Sequence, residues 1–441
     1  MEVIEVEGGH HIEGSVLVEG AKNSALKLMA ATIMAPGVTT LTNVPNIADV
    51  HVMGKVLKEL GATIDVLDEH TLAIDTSQVS KWETPYSLVS QMRASTAVMG
   101  PLISRFGKAV VAMPGGCNIG ARKIDMHMLG LEAIGVHFSV DHGNIHASTP
   151  NGLAGSTVML SFASVGATEN LMMASVFAQG TTVIDNAARE PEIVDLAAML
   201  NEMGAQIRGA GTPVIEIEGV TELHPVTHRV VGDRIEAGTF IAIGAITGGP
   251  VHVGGFDPEH LGLVLRKYEK MGISIAYDGN GVTVSRADDL LPIDIQTLPF
   301  PGFPTDMQAQ TMVLLALAKG SSMITENVFE NRFMFASELQ RMGANITIEG
   351  HHAIVRGVAG FSGAEVQASD LRAGAALVMA GLVADGTTVV SNIRHIDRGY
   401  ERFVEKLQGL GAKTVRATRP DEDVFKDEAD VWRTSGRHTV R

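Results

Sequence analysis

Between positions 50 and 60, and again between 193 and 203, apolar residues return every third or fourth place, the spacing of an amphipathic helix. Both runs close on an apolar residue followed by glycine, in a phrase that occurs six times: Leu60-Gly61, Ile134-Gly135, Met203-Gly204, Met271-Gly272, Met342-Gly343 and Leu410-Gly411. A glycine in that place ends a helix in the left-handed conformation. The period then changes to two. Ala62-Thr63-Ile64-Asp65-Val66, Ile273-Ser274-Ile275-Ala276 and Asn345-Ile346-Thr347-Ile348 alternate and predict strands, with short partner strands over 71–74, 282–284 and 353–355. A second kind of helix, rich in Ala, Met and Leu, is predicted over 25–34, 167–177 and 307–317. Such helices lead through a glycine-containing turn into β-branched runs such as 39–42, 181–184 and 387–390. The glycine phrases recur at about seventy residues, too long for common solenoid repeats of about 20–50 residues and long enough for a small α/β unit.

Six such βαβ-type units, three to a lobe, predict two similar α/β lobes divided near Arg229-Val230-Val231-Gly232-Asp233. The first strands could pair with either lobe. Beyond Pro420 the chain loses its apolar period and turns charged, as in Asp421-Glu422-Asp423 and Lys426-Asp427-Glu428, so a mobile tail is expected there.

Composition narrows the function. The 441 residues carry 34 Lys and Arg against 50 Asp and Glu, a net charge of −16, which argues against bulk binding to nucleic acid or anionic lipid. An anion site must then be built from locally clustered cations. One cysteine rules out an intrachain disulfide and a multi-cysteine zinc site, and suits a reducing compartment. The acidic start Met1-Glu2-Val3-Ile4-Glu5 is unlike a signal peptide, and apolar runs such as 312–318 are far too short to span a membrane. The expectation is a cytoplasmic enzyme with neither nucleic-acid partner nor membrane insertion.

The lone Cys117 lies in Pro114-Gly115-Gly116-Cys117-Asn118-Ile119-Gly120-Ala121-Arg122-Lys123, where glycines let backbone amides approach a ligand and cations favour the thiolate. Aligning the copies at the start of the first helix gives a column of Lys22, Arg93, Gly166, Glu236, Asp306 and Arg372, charged in all but one copy. There the helix dipole and orphan N–H groups favour an anion, and Asn23 or Ser24 could cap. A second column, in the loop after the central strand, holds Cys117 with Arg122, Arg189-Glu190, Asn331-Arg332 and Asp397-Arg398. With pseudo-threefold lobes the two columns would face each other across a cleft. Against this stand plainer readings: Asp306 after Thr305 as a simple N-cap, lone arginines as solvated charges, His142 and His146 as structural, and the Met-rich helices as core.

Taken in order, Gly20-Ala21-Lys22-Asn23-Ser24, the Cys117 loop through Arg122, Ser164-Val165-Gly166-Ala167-Thr168, Ala188-Arg189-Glu190-Pro191-Glu192, Pro304-Thr305-Asp306-Met307-Gln308 and Asp397-Arg398-Gly399-Tyr400 resemble the enolpyruvyl transferase family. Within that family the chain looks like the UDP-N-acetylglucosamine 1-carboxyvinyltransferases, from its first residues to about Ala417. The resemblance implies the two-lobed enolpyruvyl transferase fold, an inside-out α/β barrel of six βαβαββ units, three per lobe. It places 22–230 in one lobe, 1–21 with 231–419 in the other, and leaves 420–441 as a disordered tail.

The same resemblance implies transfer of the enolpyruvyl group of phosphoenolpyruvate to the 3′-hydroxyl of UDP-N-acetylglucosamine, releasing phosphate, without metal or organic cofactor. Cys117 is then the proton donor, able to attach covalently to phosphoenolpyruvate, and Asp306 the base or hydroxyl anchor. Lys22, Arg122 and Arg398 would hold the phosphate and carboxylate, with Arg93, Arg332 and Arg372 nearby. Sugar-nucleotide contacts fall to Arg93, Arg122, Lys123, Ile124, Asp125, Met126, Ser164, Val165, Gly166, Asp306 and Val328, with Asn23 a further substrate-binding residue. Lys123 stands where many members have proline, and Phe162 where some place a lysine near the diphosphate. The Cys117 loop is the expected lid. Two rivals remain, the sister enzyme acting on shikimate 3-phosphate and a catalytically silent UDP-sugar binder.

Overall fold

The structure, a computed structural model, describes residues 1–89, 93–113, 124–279, 281–286 and 289–420. Cys117, Arg122 and Lys123 lie outside the described residues, as does the stretch 421–441 for which a tail was expected. The first five units have the predicted order, and the sixth has it up to strand Lys413–Thr418. In the first, helix Lys22–Ala31 leads to strand Val38–Thr42, helix Ala48–Leu60 and the antiparallel pair Thr63–Asp68 and Thr71–Asp75. All six phrase glycines have positive φ, from 88° at Gly272 to 110° at Gly61, which is why the phrase repeats while the residues around it vary.

Every unit builds its own sheet around the β-branched strand, with a parallel neighbour on one side and an antiparallel pair on the other. Three sheets borrow a strand from far along the chain. Thr227–Arg229 pairs in parallel with Val38–Thr42, and Gly14–Leu17 with Val251–Gly254. Glu2–Glu7 enters the last sheet between Thr387–Ser391 and Lys413–Thr418, antiparallel to both. In the second unit the parallel position is only a one-residue bridge, Glu83 to Val110.

The helices Arg234–Thr247, Gln308–Leu315 and Leu371–Leu382 pack on one another, buried almost all round, and the sheets surround them. A helix buried on every side carries no amphipathic period, which explains the uniform Ala, Ile, Met and Leu content of this class. The arrangement is inside-out in that sense. No described sheet closes on itself; each unit's sheet ends after three or four strands and packs through its helix face. Buried apolar side chains form two clusters, one from Ala25 to Val230 and one joining Ile4–Val18 to Ile235–Ala412.

Two chain segments cross between these clusters side by side. Ala21 N donates to Val231 O at 2.6 Å, Asp233 N donates to Glu19 O at 2.8 Å, and Gly20 pairs with Gly232. A Cβ on Gly20 would stand 1.9 Å from Asn43 O, so only glycine fits there. Beside the crossing, Asp195 takes hydrogen bonds from Ser24 Oγ and Val231 N and pairs with His228 Nε2 at 2.9 Å. The other ring nitrogen meets Glu202 at 2.8 Å. Burial alone would lower the His228 pKa, but Asp195 and Glu202 outweigh it and hold it above the ordinary value. A raised folded-state pKa gives stabilisation that is complete below the unfolded pKa and is lost as pH rises through the folded one. His228→Asn is therefore expected to lower Tm by about 2–4 °C at slightly acid pH, with the gap narrowing as pH rises. A gap that widens with pH in thermal scans would contradict this network.

Candidate active site

The first column does fall at helix starts. Lys22 opens Lys22–Ala31, Arg93 opens the 3-10 helix Arg93–Val98, and Gly166 is second in Val165–Ser175, which Ser164 caps. Glu236 lies in the first turn of Arg234–Thr247 behind the cap Asp233, Arg372 follows the cap Asp370, and Asp306 sits in the 3-10 turn Thr305–Met307. The capping expectation for Asn23 and Ser24 is corrected. Ala21 is the cap residue and gives no side-chain bond, Lys22 N is held instead by Asp233 Oδ2 at 3.2 Å, and Ser24 turns inward to Asp195. That frees Asn23, which is exposed and lines a cavity of about 600 Å³ between residues of the two clusters.

Two carboxylates organise the cations there. Asp49, in the first turn of Ala48–Leu60, takes Lys22 Nζ at 2.8 Å, Arg398 Nε at 2.9 Å and Arg398 Nη2 at 3.2 Å. Burial holds the Lys22 pKa below the usual lysine range, with Arg398 and Arg372 adding to the effect and Asp49 opposing it. Burial would raise the Asp49 pKa, but Lys22 and Arg398 hold it below the ordinary carboxylate value. Lys22 and Arg398 are thus within reach of one carboxylate, as the facing-columns reading required; Arg122 lies outside the described residues.

Asp306 is not a simple cap. Its Oδ1 accepts from Arg332 Nη2 at 2.8 Å and its Oδ2 from Arg372 Nη2 at 3.3 Å, and both arginines are buried. Arg372 lies against the ring of Tyr400, 5.3 Å from its centroid, and its Nε and Nη1 find no hydrogen-bond acceptor among the described residues. Burial would lower the Arg372 pKa; Tyr400 and Asp306 instead keep it above the ordinary value, so the charge persists. Glu326 accepts from Thr305 Oγ1, Val328 N and Phe329 N, and so fixes both sides of this wall.

Glu192 receives Arg234 Nε at 3.0 Å and Nη2 at 3.2 Å, a buried bidentate pair joining residues on either side of the chain crossing. Glu190 accepts from Phe300 N, and burial raises its pKa. Ile124, Asp125, Met126, Ser164, Val165, Gly166, Phe162 and Val328 also line the cavity. Arg93 has a described backbone only. Sequence reasoning missed Asp49, Glu169, Arg234 and Glu326. Their one sequence signal, an acid or cation near a helix start or strand end, is shared by many surface residues. Among the described residues, Glu69, His70 and Glu401 are the group whose ligand atoms could meet on a cation, and none of them lines this cavity. No helix among the described residues is long and apolar enough to cross a membrane.

Comparison with known proteins places this geometry. The family model for EPSP synthase (3-phosphoshikimate 1-carboxyvinyltransferase) matches residues 6–407. The fold superposes on the enolpyruvyl transferase NikO from Streptomyces tendae with TM-score 0.86 at 26% identity, covering 95% of this chain and 99% of that one. EPSP synthase from Acinetobacter baumannii superposes with TM-score 0.73 at 18% identity over 95% of this chain and 100% of that one, a likeness of fold. Fold and site thus define a transferase of the enolpyruvyl class. UDP-N-acetylglucosamine 1-carboxyvinyltransferase 2 of Carboxydothermus hydrogenoformans is 52% identical over 420 residues, 95% of this chain and 100% of that protein. UDP-N-acetylglucosamine 1-carboxyvinyltransferase of Gluconacetobacter diazotrophicus is 51% identical over 413 residues, 93% and 98% of the two chains. The chain belongs to the UDP-N-acetylglucosamine 1-carboxyvinyltransferase family.

Proposed function

We propose that the protein transfers the enolpyruvyl group of phosphoenolpyruvate to the 3′-hydroxyl of UDP-N-acetylglucosamine in the cytoplasm, releasing phosphate, as the first committed step of peptidoglycan synthesis. The observation that carries this reading is Asp306, a carboxylate at the cavity wall held by two buried arginines and facing the same space as Lys22 and Arg398. Phosphoenolpyruvate brings a phosphate and a carboxylate, and the clustered cations answer the need for local positive charge in a protein of net charge −16.

In the addition step the sugar oxygen bonds to C2 of phosphoenolpyruvate while its proton passes to Asp306, and Cys117 delivers a proton to the methylene carbon. The tetrahedral adduct then loses a proton from that carbon, the double bond re-forms, and the bond to phosphate breaks. Lys22, Arg122 and Arg398 meet the leaving phosphate, and Arg332 and Arg372 orient Asp306 and add positive charge behind it. Asn23, Arg93, Lys123, the stretch Ile124–Met126, Ser164–Gly166 and Val328 are assigned to the sugar nucleotide. The lobes 22–230 and 1–21 with 231–419 would close on both substrates, with the Cys117 loop as lid. Phosphate release from phosphoenolpyruvate is expected with UDP-N-acetylglucosamine and not with shikimate 3-phosphate. Release with the second acceptor, or with neither, would overturn the reading, and the latter with intact nucleotide binding would indicate a silent paralogue.

A further inference from the structure

One side chain of the cavity wall is not used by that mechanism. Glu169, in helix Val165–Ser175, is 1% exposed and lines the cavity. Its Oε2 is paired with Lys27 Nζ from helix Lys22–Ala31, one turn beyond Asn23, and its Oε1 is buried with no donor among the described residues. A buried carboxylate oxygen without a donor is costly unless something else supplies the hydrogen bond. Lys27 is itself largely buried, so the pair is a built feature of the wall rather than a surface contact.

The two proposed substrates differ in what they can offer this oxygen. Phosphoenolpyruvate, ionised at both phosphate and carboxylate, has acceptors only and is repelled by a carboxylate. A sugar nucleotide carries hydroxyl and amide donors. Glu190 and Glu192 lie near enough to Glu169 to act on its charge, while Lys22 and Arg398 gather at Asp49. We infer that Glu169, held by Lys27, is a specificity-determining residue that accepts a hydrogen bond from the sugar nucleotide and not from phosphoenolpyruvate. The identity of that ligand rests on the proposed function.

The charges around Glu169 make the inference readable by pH. Burial, reinforced by Glu192 and Glu190 and opposed by Lys27, pushes its carboxyl up to about 7. His127, from helix Asp125–Ala133, is pushed down to about 4 by burial and Lys27 and stays neutral near pH 7. Arg105, on the helix Met99–Phe106 packed against Val165–Ser175, is bound by the carbonyls of Ile33 and Thr76, and Arg234 is bound to Glu192. As pH falls through about 7, Glu169 gains a proton and its oxygen stops acting as a charged acceptor.

The test is steady-state kinetics from about pH 6 to 9 for the full chain, Glu169→Gln and Lys27→Met, with calorimetric binding of UDP-N-acetylglucosamine alone. In the unaltered enzyme, KM for UDP-N-acetylglucosamine is expected to rise as pH falls through about 7, and KM for phosphoenolpyruvate to show no matching step. Glu169→Gln should abolish that step and raise KM for the sugar nucleotide about tenfold, with kcat and the other KM changing far less. Lys27→Met removes the cation that favours ionisation, so the step should move to higher pH. Equal changes in both KM values, a step that persists in Glu169→Gln, or one unmoved in Lys27→Met overturns the inference. The Lys27→Met result decides the matter if the Gln variant does not fold. Absent turnover with the sugar nucleotide overturns the proposed function instead, and the calorimetric comparison still judges Glu169.

Discussion

Asp306→Asn is expected to lower kcat by about 10²–10⁴-fold while changing the affinity for UDP-N-acetylglucosamine by less than about tenfold. The amide keeps the volume and one acceptor oxygen, so an arginine bond survives, but it has no basic oxygen to receive the hydroxyl proton. Its NH₂ group must also face a guanidinium donor, since Arg332 and Arg372 occupy both carboxylate oxygens. Two buried cations would then lack their shared anion, and breaking a buried pair costs about 3–5 kcal/mol. A fall in Tm should therefore accompany the loss of turnover. Phosphate-release kinetics at a temperature where circular dichroism shows the variant folded, with calorimetric binding alongside, separates the two effects. A kcat within about threefold of the parent would move the base to another group.

Asp49→Asn is expected to act on the other substrate, reducing kcat/KM for phosphoenolpyruvate by about a thousandfold. Asp49 does not reach the substrate in this reading; it keeps Lys22 charged and aims Arg398. With the anion gone, two like charges would face each other under partial burial, and the Lys22 pKa, already lowered by burial, would fall further. The sign follows. Lys22 would lose its proton at lower pH than in the parent, so the variant's activity should decline earlier as pH rises and recover toward acid. A variant whose residual activity has the parent's pH profile would show that Asp49 serves only to position the helix.

The legible parts of this chain are those whose cause is local. Six glycines with positive φ end six helices, and the conformation each must adopt writes the same letter into the sequence each time. Alternation at Asn345–Glu349 and His352–Arg356 is likewise the direct image of one buried face. The helix-start column was legible because a helix dipole and its orphan amides act within a single turn. Glu2–Glu7 was not assignable from its own residues, since its alternation would suit either lobe, and its actual neighbours, Thr387–Ser391 and Lys413–Thr418, lie at the far end of the chain. The same limit explains the site. Asp306 after Thr305 reads equally well as a cap, and only the arrival of Arg332 and Arg372 from other units makes it the bound carboxylate of a cavity wall.

By itself, then, the sequence determined the repeating unit, the residues at its helix starts, the shortage of positive charge that a local cluster must overcome and, through ordered motifs, the family. The tertiary structure decided which charges meet. Asp49 and Arg398 are separated by most of the chain and carry no mark of each other, yet both meet Lys22, and Asp49 opposes the loss of charge that burial favours there. Glu169 and Lys27 look like ordinary helix residues until burial leaves one oxygen without a donor among the described residues. Hydrophobic period and backbone conformation are properties of neighbours in sequence; desolvation and ion pairing depend on neighbours in space, which exist only once the units have packed.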